Sequence, residues 1–177
     1  MECEAANGST RIEKFVREAF SQAVSAAPPT RVGLSGTGQL ERFFGSRRWE
    51  TIPLGEVKNW TDEIHEFTTE AVAYFLPAYL LAALREPSGG VASLLSDFLL
   101  PPKGGRLRAS YGAWWHALTE LQKRAVLMFI REFDSVHFKG VFSEDVLTML
   151  AESNPDQNER HQRFPQSAKD ANEDGRE

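Results

Sequence analysis

The residues best equipped for chemistry are gathered in Thr61-Asp-Glu-Ile-His-Glu-Phe67, where Asp62, Glu63, His65 and Glu66 crowd together. A carboxylate beside an imidazole can move protons, and the same side chains can hold a divalent metal. The spacing serves neither task. A zinc-binding helix of the His-Glu-x-x-His type sets two imidazoles one turn apart. The other histidines, His116, His137 and His161, are all remote from His65 in the sequence. The sequence therefore assigns no catalytic residue, no metal ligand and no cofactor. A solvated connector with Ile64 and Phe67 turned inward accounts for the same residues.

Three other groups invite a functional reading. Gly33-Leu-Ser-Gly36-Thr-Gly38 superficially resembles a phosphate-cradling loop. No strand pattern precedes it and no Gly-Lys-Ser/Thr follows it, so it lacks the context that such a loop requires. Arg47-Arg48-Trp49 and Trp114-Trp115 offer aromatic side chains, the first flanked by cations. Tryptophan and arginine are enriched where proteins meet. Arg48, Trp49, Trp114 and Trp115 are accordingly the candidate interaction surface. Adjacent tryptophans on one helix point in different directions, so one of Trp114 and Trp115 is expected to be partly exposed. The third group is Tyr74, Pro77 and Tyr79. Proline has no N–H to give to the carbonyl of Ala73 and crowds that turn, so a kink is expected. Tyr74, Pro77 and Tyr79 are the candidate lining of a small pocket beside it.

The stretch that must position these residues runs from Thr69 to Leu84. No charge interrupts Ala71 to Leu84. It is long enough for about four helical turns and too short for a bilayer, which needs roughly 20 apolar residues. A helix apolar on every side must be surrounded by protein. Thr68 is its expected N-cap, and Glu70 suits the positive end of the dipole.

The rest of the chain reads as helices around that centre. Residues 1–9 are expected as a flexible lead-in. Thr10-Arg-Ile-Glu13 fits a capping box. It opens an amphipathic helix over 10–26 with Ile12, Phe15, Val16, Ala19 and Phe20 on one stripe. Pro28-Pro29 ends it. Gln39 to Phe44 reads as a short helix with Leu40, Phe43 and Phe44 inward and Gly45 closing it. Pro53 can start another, with Leu54, Val57 and Trp60 inward. Val91 to Leu100 is a shorter apolar helix, followed by a basic loop over Lys103 to Arg108. Ser110 to Leu118 carries Tyr111 and the tryptophan pair. Thr119-Glu-Leu-Gln122 is a second capping box, opening a helix with Leu121, Ala125, Val126, Met128, Phe129, Ile130 and Phe133 inward and Lys123 in solvent. Ser143 is expected to cap a last helix, with Phe142 and Leu147 as its hydrophobic staple. Residues 153–177 have the composition of disorder.

Helical periodicity, repeated caps and the lack of β alternation predict one all-α domain over residues 10–152. Helices 10–26 and 120–134 are expected to pack on the centre. A chain of 177 residues with 41% apolar content supports one such domain. The net charge is −5. From Glu152 onward there are seven acidic and four basic residues, so most of that charge belongs to the tail. No basic face points to nucleic acid. The single cysteine, Cys3, gives no disulfide framework. With no apolar leader and no spanning stretch, the expected compartment is the cytoplasm, with no membrane partner. The expected state is a monomer or homodimer.

The central stretch also carries a resemblance. Glu70-Ala71 followed by Tyr74-Phe75-Leu76-Pro77-Ala78-Tyr79-Leu80-Leu81 resembles the signature of a bacterial family of unknown function. Phe43-Phe44-Gly45 with Trp49 upstream fits it. Leu118-Thr119, Gln122 and Ala125-Val126 fit it downstream. Together they span Ile12 to Phe133, leaving the segment after Ser143 outside. Thr69 departs from the pattern, where members often have Pro before the Glu-Ala pair. The resemblance implies a small, helical, cytoplasmic bacterial protein and brings no catalytic residue. Three functions follow, in order. The first is a non-enzymatic interaction protein of accessory or immunity type, with a protein partner. The second is a small-molecule binder at the Pro77 kink. The third is an enzyme using Glu63, His65 or Glu66, which would have to converge with other groups in a cleft.

Overall fold

Thr68 fixes where the central helix begins. Its backbone is extended and its Oγ1 accepts from the Ala71 N–H at 3.2 Å, which satisfies one of the first-turn donors. Beyond it α4 runs from Thr69 to Arg85 and continues through Pro77. Thirteen of its 17 residues are buried, so no stripe is left for solvent and every side must be covered.

The computed structural model describes residues 2–21, 27–34, 38–100, 106–134 and 148. Seven α-helices lie among them: α1 (Glu2–Phe20), α2 (Gln39–Phe44), α3 (Leu54–Val57), α4, α5 (Gly90–Leu99), α6 (Arg106–Ala117) and α7 (Glu120–Phe133). Short 3₁₀ turns occupy Trp49–Thr51, Lys58–Trp60 and Asp62–Glu66. The fold is all-α, a single domain around one continuous core that reaches from Ile12 to Phe133. The only β-like pairing among the described residues is an isolated bridge between Gly33 and Phe67. Around it Leu34 N–H donates to Glu66 C=O at 2.6 Å, and Thr68 N–H donates to Val32 C=O at 2.7 Å. The loop before α2 is thereby tied to the start of α4.

The cover of α4 is supplied by α1, α3, α5, α6 and the 3₁₀ turn at Trp49. The principal partner of α7 is α1. Helix α7 was expected to pack on the centre; its main contact is instead α1, which itself packs on α4. The second capping box is present. Thr119 Oγ1 accepts from the Gln122 N–H at 3.3 Å, and Gln122 Oε1 accepts from the Thr119 N–H at 2.9 Å.

Several expectations are corrected. Residues 2–9 are helical, so Thr10 lies inside α1 and is not its cap. Arg106–Arg108 belong to α6 and not to a loop. Leu121 is 41% exposed although it sits on the apolar pattern, and Lys123 is only 7% exposed. Lys123 buries its aliphatic stem and keeps its ammonium on Glu120 at 2.9 Å. Phe43 is inward in part: it is half-buried and packs against the core. The expected cap at Ser143, the helix after it, and the tail from residue 153 lie outside the described residues, as do residues 22–26, 35–37 and 101–105.

Candidate functional site

Trp49 begins a 3₁₀ turn because Arg48 enters it extended and the Thr51 N–H and Thr51 Oγ1 both return to the Arg48 carbonyl, at 2.9 and 2.7 Å. The turn presses Trp49 onto α4, where the indole is 1% exposed. Tyr74, one turn before Pro77, meets the same segment and is 6% exposed. Burial raises the pKa of its phenol above the ordinary value, the Glu50 carboxylate adds to that effect, and the Arg48 guanidinium and a hydrogen bond from the Trp49 backbone N–H oppose it. Tyr74, Arg48 and Trp49 came from two separate candidate sites. The structure brings them to one seam.

Tyr79 faces another way. It is fully buried, and its hydroxyl donates to the Trp60 carbonyl at 2.8 Å. Burial, with Glu63 nearby, pushes that hydroxyl far up, so it remains a donor. Pro77 is buried between the two tyrosines in sequence. Tyr79 is thus engaged in a structural hydrogen bond.

The bond from Tyr79 anchors a surface that the sequence pattern did not single out. Trp60 is half-buried and lies against half-buried Phe43, with ring centroids 4.8 Å apart and planes tilted by 31°. Phe43 and Trp60 both meet the enclosed Phe44 edge-on. The Arg47 guanidinium carbon lies 4.4 Å from the Phe43 ring centre, and Arg47 Nη1 is 3.7 Å from Glu56 Oε2. Aromatic and guanidinium groups placed this way attract by cation–π interaction. The available signal was the pair of aromatics in Phe43-Phe44. On this short helix Phe44 is the enclosed one of the two.

Trp114 and Trp115 are both buried, at 4% and 1% exposure. The expectation that one would be partly exposed is corrected. Trp114 stacks on Phe98 of α5 at 5.3 Å and meets Tyr111 edge-on, while α6 also packs on α4. Helix α6 is covered on more than one side, so adjacent positions both find protein. Tyr111 is held by its hydroxyl donating to the Leu99 carbonyl at 2.9 Å. Arg48 is exposed, at the rim of the Trp49 seam.

The acidic connector does not converge. Ile64 and Phe67 are buried as expected. His65 is exposed with its ring edge toward Phe98 at 5.5 Å, whereas Glu63 is close enough to act on Tyr79. Glu66 is exposed and contributes its backbone carbonyl to the Leu34 bond. Among the described residues no group of three His, Cys, Asp or Glu side chains could hold a metal ion.

A family model described as a family of unknown function, DUF6714, matches residues 33–158. The chain belongs to that family. The DUF6714 span takes in Phe43, Arg47, Trp49, Trp60 and all of α4, so every seam described above lies within it. It also runs past Ser143, which extends the shared region beyond the resemblance drawn from the sequence. No curated protein and no solved structure matches the chain. Among the described residues no helix is long and apolar enough to cross a membrane.

Proposed function

We propose that this DUF6714 member is a non-enzymatic protein-interaction protein that meets its partner through Phe43, Arg47 and Trp60. The observation that carries the proposal is the half-buried Trp60–Phe43 pair with the Arg47 guanidinium beside it. Trp and Arg are the side chains most often responsible for binding energy at interfaces. Here they are held before any partner arrives. Trp60 is fixed through its own carbonyl to Tyr79 of the central helix, and Phe43 is braced on Phe44. A surface already ordered loses less side-chain freedom on binding. The surface differs from the one expected at Trp49, Trp114 and Trp115, whose indoles are enclosed.

An accessory or immunity-type role belongs to the same proposal and is supported by the mild acidity and the tryptophan content; the bacterial cytoplasm rests on the signature resemblance. The enzyme reading has less support, because Glu63, His65 and Glu66 face different neighbours. The test is co-purification at native expression level, comparing wild type with Trp60→Ala and Arg47→Glu. A stoichiometric protein retained by wild type and lost by both variants supports the surface. Retention by both variants removes it.

A further inference from the structure

From Arg42 to Trp60 the chain holds four cations, Arg42, Arg47, Arg48 and Lys58, against two anions, Glu50 and Glu56. The stretch is net +2 within a chain of net −5. Glu50 Oε2 lies 3.9 Å from Arg48 Nε, and Glu56 Oε2 lies 3.7 Å from Arg47 Nη1. The excess charge is therefore that of Arg42 and Lys58, both exposed. Arg42 adjoins Phe43 in α2, and Lys58 shares a 3₁₀ turn with Trp60. Arg42 is tied by its Nε to the Gly38 carbonyl at 3.0 Å, so it holds its charge at the start of α2. Each ring of the Phe43–Trp60 pair thus has an unbalanced cation on its own turn. Acidic residues resume only beyond the indole, at Asp62 and Glu63.

The Arg47–Glu56 pair is loose. Its 3.7 Å separation is too long for a hydrogen bond, and the two side chains are 41% and 47% exposed. Ion pairs as open as this contribute little. A guanidinium can bind a carboxylate through two parallel N–H bonds, a closer contact than Glu56 makes. A carboxylate arriving from outside can therefore improve on Glu56, and Arg47 is already set 4.4 Å from the Phe43 ring centre to receive it. We propose that the partner presents an acidic segment with an apolar side chain. Its carboxylate displaces Glu56 from Arg47, and its apolar group covers the half-buried Phe43 and Trp60. This rests on Phe43, Arg47 and Trp60 being the surface that meets the partner. Arg42 and Lys58 steer such a segment. They are too few for a nucleic-acid backbone, which calls for an extended basic face. Glu56 neutralises Arg47 in the free protein and gives way in the complex.

The sign of one substitution carries the test. Glu56→Gln removes the competing carboxylate, so binding should tighten by about 2–5-fold. If Glu56 served to position Arg47, the same change would weaken binding. The probe is a short fluorescein-labelled peptide of alternating glutamate and leucine, titrated with the full chain by fluorescence anisotropy. A glutamine–leucine peptide and a labelled oligothymidylate are run beside it. We expect the glutamate peptide to bind wild type, and to bind more weakly as salt is raised. Arg47→Ala should weaken it at least about tenfold. Arg124→Ala, which removes an exposed cation of α7, should leave it unchanged. Circular dichroism establishes that each variant is folded. A glutamate peptide that does not bind, or equal or tighter binding of either control, overturns the proposal. So does full binding by Arg47→Ala, an equal loss with Arg124→Ala, or unchanged or weaker binding by Glu56→Gln. A partner still lost with Trp60→Ala on co-purification would then leave the surface standing without the acidic segment. A partner retained by Trp60→Ala removes the surface, and the acidic segment with it.

Discussion

At the scale of single residues, the tyrosines of α4 show how position on one helix divides labour. Tyr79 spends its hydroxyl on the Trp60 carbonyl. Tyr79→Phe removes that bond and leaves the carbonyl without its partner, so it should cost about 1–2 kcal/mol. The check is a shift in the denaturation midpoint at unchanged slope. Phe75 is fully buried. Phe75→Ala should cost about 3–5 kcal/mol, as large aromatic truncations in a core do. Glu41 gives a pH prediction. The Gly33 N–H donates to its Oε1 at 3.0 Å and holds the carboxyl below its ordinary value. A carboxyl depressed in the folded state adds stability that is complete at neutral pH and is lost as pH falls through that lowered value. Wild type should therefore lose stability in acid more steeply than Glu41→Gln. Equal acid limbs would show that the Gly33–Glu41 contact is not kept in solution.

At the scale of elements, the two capped helices can be compared directly. Thr119→Ala removes one arm of a capping box and should cost about 1 kcal/mol. Thr68→Ala should cost more, because Thr68 Oγ1 both accepts from the Ala71 N–H and donates to the Arg31 carbonyl at 3.1 Å. Chemical denaturation of the two variants side by side orders them. These caps were legible in the sequence because capping is local: the side chain and the backbone it serves are three residues apart. The start of α4, the span of α2 and the inward pair Ile64 and Phe67 were legible for the same kind of reason. The start of α1 was not. Thr10-Arg-Ile-Glu13 satisfies the local rule, but the helix begins upstream of it, across Asn7-Gly8-Ser9, which local propensity does not foretell. The exposure of Leu121 was equally hidden. Its position follows the apolar spacing, while its cover depends on which helix lies opposite.

At the scale of the whole molecule, the uninterrupted apolar run of α4 announced an all-α domain built around one enclosed helix, and that is the fold. Which helix touches which was not announced. Packing of α7 on α1 is a tertiary choice that periodicity does not encode. The proposed surface was the least legible part. Tryptophan content pointed to Trp49, Trp60, Trp114 and Trp115 alike, and the surface was expected at Trp49, Trp114 and Trp115, yet composition counts indoles without saying which ones the fold encloses. Helix α6 is covered by both α4 and α5, and the turn at Trp49 folds its indole onto α4. The remaining tryptophan, Trp60, sits where the chain turns between α3 and the acidic connector. It is left half-buried with Phe43 and Arg47 around it.

The measurement to make is co-purification of the tagged chain at native expression level, with mass spectrometry and sizing, for wild type, Trp60→Ala and Leu121→Ala. Circular dichroism would establish that all three are folded. The account predicts one stoichiometric protein partner with wild type and with Leu121→Ala, and its loss with Trp60→Ala. A partner that Trp60→Ala keeps, or a wild-type chain that purifies with no protein bound, would contradict it.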